Sequence, residues 1–219
     1  MRNFKRITVF LFCLTGIFSG FLTYADDITD LIQRGEKTYA EKHYKESIKS
    51  LHQAIQKMQD ILAGELTSFL PGEIKNWKRG EVRDESIHNS SGGLMVFSSF
   101  YSASVEYRKE NGPDRVAVTI TNAPQMVQMA KIPFELLKNP YFQEMSKQED
   151  SGEKVDAYGL NDIEGYRRTM AADKEAEIII FLEDVMLQVQ GRSLSDLNSI
   201  EQFVKETDLE GIKRFTSAN

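Results

Sequence analysis

The sequence predicts an α+β protein: an N-terminal antiparallel helical hairpin followed by an antiparallel β-sheet packed with helices. Three observations lead there. Apolar residues recur at helical spacing through residues 27–64, the period changes to two from Trp77 on, most clearly from Tyr101, and tight turns join the later segments in pairs. The chain divides into residues 1–25, a signal peptide; 26–66, the hairpin; and 70–219, the sheet domain.

The leader comes first. Arg2, Lys5 and Arg6 precede an apolar run from Ile7 to Leu22, and Thr23-Tyr24-Ala25 follows as a small-x-small exit. A basic start, an apolar middle and such an exit mark a secretory signal peptide, with cleavage after Ala25. The run falls short of the roughly 20 residues that cross a bilayer comfortably. Cys13, the single cysteine, lies within it behind Phe10-Leu11-Phe12, the wrong sizes for lipid attachment. A periplasmic protein without thiol or disulfide chemistry is the expectation. Cleavage would leave 194 of 219 residues and remove three basic but no acidic side chains, moving the formal net charge from −6 to −9. That acidity disfavours nucleic acid and anionic lipid as partners, so membrane contact is expected only through an uncleaved leader.

In the hairpin, Tyr44, Ile48, Leu51, Ile55, Met58 and Leu62 alternate steps of four and three, which aligns them as one stripe. Lys45, Glu46, Lys49, Gln53, Gln56 and Lys57 fill the other side. Ile28, Leu31, Ile32 and Tyr39 mark a first helix, and the connection at Glu41 to His43 is short enough to require antiparallel helices. Gly35, Tyr44, Ser47, Ile48, Ala54 and Ile55 resemble the small and large positions of a tetratricopeptide repeat. The resemblance implies that a small residue lets the helices approach, an aromatic seals the turn and an Ala-aliphatic pair closes the second helix. Ser47 stands where alanine is usual, Arg34 where an aliphatic is usual, and the terminal proline is missing. One such unit cannot bury its apolar face alone, so the stripe must find cover on the following domain or on another protein.

Leu70-Pro71-Gly72 breaks the helix. Tyr101, Ala103, Val105 and Tyr107 alternate with Ser102, Ser104, Glu106 and Arg108, the pattern of a half-buried strand. Asn111-Gly112-Pro113-Asp114 makes a turn, and Val116, Val118 and Ile120 complete a hairpin. Residues 124–137 read as a helix that Pro133 would bend or split, and Asn139-Pro140 ends it. A polar loop at 146–154 precedes strands at Gly165–Met170, Ile178–Leu182 and Val185–Gln190, the last closed by Gly191, with Glu183-Asp184 as a two-residue turn. Ser195 is the expected N-cap of a last helix whose apolar face is Leu197, Ile200, Phe203 and Val204, continued by Leu209, Ile212 and Phe215. This order resembles PsbP-like domains and small exported bacterial proteins of unknown function that open with a Trp-x-x-Gly stretch, here Trp77 to Gly80.

No catalytic set emerges. His43, His52 and His88 are the only histidines; the first two lack the one-turn spacing of helical metal ligands, and His88 falls in a serine-rich loop. The serines between positions 90 and 104 sit in no nucleophile elbow, and Gly92-Gly93 lacks the lysine and helix of a phosphate cradle. Glu149, Asp150, Glu153, Glu183 and Asp184 belong to loop and turn positions. Met126 and Met129, one helical turn apart, are the metal candidates, since thioethers take Cu(I); as core residues they would fill gaps beside Val127 and Phe134. The expected function is a non-enzymatic, exported binding or accessory protein without a cofactor. It would contact another envelope protein through Tyr44, Ile48, Leu51, Ile55 and Met58. The alternative is a small-ligand or copper carrier with a pocket between sheet and helix near Tyr101, Tyr107, Met126 and Met129.

Overall fold

The computed structural model describes residues 27–88, 99–139, 152–160 and 163–218. The leader, the cleavage point after Ala25, Cys13, Gly92-Gly93 and most of the 146–154 segment lie outside the described residues. Two helices open the described chain: α1 at 27–40 and α2 at Tyr44–Leu66. The chain forms two compact units divided within α2, after Met58.

The first unit is an antiparallel helical pair. Its turn takes Lys42 to φ 64°, and Tyr39 meets Tyr44 edge-on across it at 5.7 Å. The helices touch through small residues. Ser47 Oγ donates to the Gly35 carbonyl at 2.8 Å, and Ser47, Ser50 and Ala54 are buried. A Cβ at Gly35 would sit 2.8 Å from the Leu51 side chain, so glycine sets the approach.

The second unit is built on a seven-stranded, wholly antiparallel sheet: β1 Trp77–His88, β2 Ser99–Lys109, β3 Arg115–Thr121, β4 Glu153–Leu160, β5 Ile163–Met170, β6 Glu175–Leu182 and β7 Val185–Arg192. The spatial order is β1-β2-β3-β7-β6-β5-β4. Three strands run out to β3, α3 (Pro124–Leu137) carries the chain to the far edge, and four strands return to pair β7 with β3. Two short helices follow, α4 (Glu201–Glu206) and α5 (Leu209–Ala218).

One sheet face packs the main core. Tyr101, Ala103, Val105 and Tyr107 of β2 and Val116, Val118 and Ile120 of β3 point there, as their alternation foretells. Phe203 of α4 lies edge-on to Trp77 at 5.0 Å and against Tyr107 at 4.9 Å, while Phe215 of α5 meets Tyr101 and Phe69. The Tyr107 hydroxyl donates to the Pro71 and Gly72 carbonyls, and burial raises its pKa. On the opposite face, α3 sets Val127, Ala130 and Phe134 on Tyr166, Ile179 and Met186. Gly165 allows β5 to lie close to β6, because a Cβ there would strike the Ile179 carbonyl. The sheet is thus covered on both faces at β5–β6–β7, and β6 has Ile178, Ile179 and Ile180 buried, as a doubly covered strand requires.

Several local expectations change. Four strands follow α3, not three, because β4 forms at 153–160 where a polar loop was expected to reach residue 154. His88 is the last residue of β1, not part of a loop. The 124–137 helix stays continuous through Pro133. The last helix is interrupted: Leu197–Ile200 is a 3-10 turn, and α4 and α5 are separate, with Thr207 extended between them. Asp196, not Ser195, caps that turn by accepting from the Asn198 amide.

Candidate functional site

Helix α2 carries two faces of opposite character before residue 58. Ser47, Ser50 and Ala54 face inward, and the large apolar stripe faces water. Leu51 is 39% exposed and Ile48 54%; Tyr44, Ile55 and Met58 lie between these values, and Tyr39 of α1 extends the patch beyond its pairing with Tyr44. At 1.5 Å rise per residue the stripe from Tyr44 to Met58 is about 21 Å long. Lys57 flanks it, bound to Asp27 at 2.9 Å. The five partner candidates therefore stand together on one continuous surface. Of these five side chains only Tyr44 carries a polar group.

The residues named for a ligand pocket are not brought together. Tyr101 and Tyr107 are buried in the main core, whereas Met126 and Met129 ride α3 on the opposite face of the sheet. Met129 is 72% exposed and Met126 43%, so neither fills a core gap. A depression of about 520 Å³ between α3, β6 and α5 is lined by Phe134, Phe181, Lys131, Glu183 and Lys213, and one of about 410 Å³ lies on β1–β3; none of the four residues lines either. Among the described residues no three His, Cys, Asp or Glu side chains gather as metal ligands.

Sequence reading missed a polar cluster built on Asp114. Its carboxylate, 1% exposed, accepts from the Ser195 amide at 3.0 Å, the Ser195 hydroxyl at 2.7 Å and Lys109 Nζ at 3.1 Å. Burial alone would raise the Asp114 pKa; the donated hydrogen bonds and the lysine charge overcome it and hold the carboxyl below its ordinary value. Lys109 also reaches Ser195 Oγ at 2.8 Å. A serine beside a lysine suggests nucleophile activation, but this hydroxyl gives its proton to the Asp114 carboxylate, and the lysine donates to both the carboxylate and the hydroxyl oxygen instead of accepting a proton. The cluster clasps the β2–β3 turn to the segment after β7. Arg167 does similar work: it pairs with Glu201 at 2.9 Å and donates to the Leu197 carbonyl and Asn198, tying β5 to the 3-10 turn. Neither the turn motif at Asn111–Asp114 nor Ser195 signals this long-range pairing in sequence.

Comparison with protein-family models, curated proteins and solved structures returned no match. Among the described residues no helix is long and apolar enough to cross a membrane.

Proposed function

We propose that the protein is an exported, non-enzymatic binding or accessory protein that contacts another envelope protein through the apolar stripe of its helical hairpin. One observation carries this reading: α2 buries its small side chains and leaves Tyr44, Ile48, Leu51, Ile55 and Met58 in water. Contiguous exposed apolar surface of this kind marks an interaction site. Covering it releases about 25 cal/mol for each Å² of apolar area removed from water. Anchors at successive helical turns suit a partner groove or a second helix laid along them. The basic start, apolar run and small-x-small exit of residues 1–25 support export.

A photo-crosslinking amino acid placed at Ile48, and separately at Lys49 on the adjacent polar side, tests the surface in intact cells. The expected result is a discrete envelope-protein adduct from position 48 that disappears when Leu51 and Ile55 are changed to serine. Equal yields from both positions, or no adduct, would sink the proposal. Amino-terminal sequencing of the exported chain should begin at Asp26; full-length protein retained in the cytoplasm would remove the envelope from the reading.

A further inference from the structure

Four cations stand in one row across the sheet. The register pairs Lys78 with Arg108, Arg108 with Arg115, and Arg115 with Arg192, on four strands that are neighbours in space. Residues paired directly across antiparallel strands project to the same face. Adjacent strands lie about 4.8 Å apart, so the row is about 14 Å long. All four side chains are exposed. The same face includes Ser104, Thr119, Gln188 and Ile179, paired in sequence, and α3 packs on its Ile179 end.

Like charges placed directly opposite oppose folding. Compensation here is sparse. Glu106 Oε1 lies 2.9 Å from Arg108 Nε and 3.9 Å from Arg115. Among the described residues, Arg192 reaches the Gln190 amide oxygen at 3.4 Å. Beside the row, the 410 Å³ depression has small residues Ser104, Ala117 and Thr119 on its floor and Arg83 at its rim. A chain of net charge −6 therefore concentrates cations on one open, concave stretch of sheet.

We propose that this row docks an acidic, extended polypeptide segment of a partner protein. No residue of the apolar stripe takes part, and the proposal stands without it. An anion laid along the row relieves the repulsion within it. Three of the four cations are arginines, whose planar fork takes a carboxylate through two parallel hydrogen bonds. In an extended segment, side chains on one face recur about every 6.8 Å, so about 14 Å accommodates three acidic residues at alternate positions. A nucleic acid or an anionic bilayer fits less well: alternate carboxylates can be spaced to meet the four cations alone, whereas a denser phosphate array would also be pressed against Glu81 and Glu106, which line the same depression as Lys78 and Arg108.

Fluorescence anisotropy of the full chain with a short labelled peptide alternating glutamate and serine tests the idea. Saturable binding is expected, weakened about tenfold or more between about 0.05 and 0.5 M salt. The Arg108→Gln, Arg115→Gln double variant should lose binding by a similar factor and melt no lower than the parent. Lys49→Gln with Lys205→Gln, exposed cations outside the row, should change affinity by less than about twofold. Equal loss in both double variants, absence of binding, a lowered melting temperature in the arginine variant, or tighter binding of a labelled oligothymidylate or of phosphatidylglycerol vesicles would each overturn it.

Discussion

The two compact units solve packing in opposite ways. In the sheet unit, large side chains go inside: Phe203, Tyr107, Trp77 and the β-branched residues of β3, β6 and β7 meet between sheet and helices. In the hairpin, small ones do: Gly35, Ser47, Ser50 and Ala54 line the contact, with one side of Leu51 against Gly35, while Tyr44, Ile48, Ile55 and Met58 remain largely exposed. The first arrangement draws stability from buried apolar area. The second draws it from close backbone approach and an internal hydrogen bond, and it leaves apolar surface in water. An apolar stripe at helical spacing identifies the core only when some other element covers it.

That contrast can be broken or sharpened by substitution. The largest effect is expected from Phe203→Ala, which empties the space between Trp77 and Tyr107 and should cost about 3–5 kcal/mol in urea unfolding of the sheet unit. A cost under 1 kcal/mol would mean that this core collapses freely. Next comes Gly35→Val, whose branched side chain must enter the space held by Leu51; overpacking should destabilise the hairpin by about 1–3 kcal/mol, seen as faster amide exchange in α1 and α2. Unchanged exchange would show that the small-residue contact is dispensable.

Asp114 gives a pH test of comparable or smaller size. Its folded pKa lies below the ordinary 3.8, so its contribution is complete above that value and is lost as pH falls through the folded one. Asp114→Asn should flatten the acid limb of stability against pH below about 4; an unaltered limb would assign acid unfolding to other carboxylates. The smallest effect is expected from Ile48→Ser with Ile55→Ser. Because both side chains are about half exposed, the pair should move stability of the isolated protein by about 0.5 kcal/mol or less, measured by thermal unfolding. A loss of several kcal/mol would show that the stripe is packed and would close the distance between the two units' strategies.

Much of the sheet was legible in the sequence wherever one strand face meets the core and the other meets water. Residues 101–108 alternate cleanly for that reason, and β6 reads as a continuous apolar run because both of its faces are covered. β1 hides its strand character: an irregularity between Arg79 and Val82 breaks its period, and charges crowd it. β4 is an edge strand with no fully buried residue, so the hydrophobic pattern has little to imprint. Ser195 reads as a cap on local grounds, but Asp114 claims it from the distant β2–β3 turn, and the cap passes to Asp196. The apolar stripe of α2 was visible as spacing; that it faces outward depends on the small residues between its members. The cationic row was illegible because only strand register brings Lys78, Arg108, Arg115 and Arg192 into line.

Trp77 is the sole tryptophan of the chain, and its ring lies within the sheet unit's core, edge-on to Phe203. The hairpin up to Met58 holds tyrosines only. The indole is therefore an intrinsic optical label for one unit and is blind to the other. A tryptophan-emission melt reports the sheet alone, whereas circular dichroism near 222 nm weighs the helices of both. Coincident curves would identify a single cooperative unit; a dichroism change preceding the emission change would reveal the hairpin fraying first.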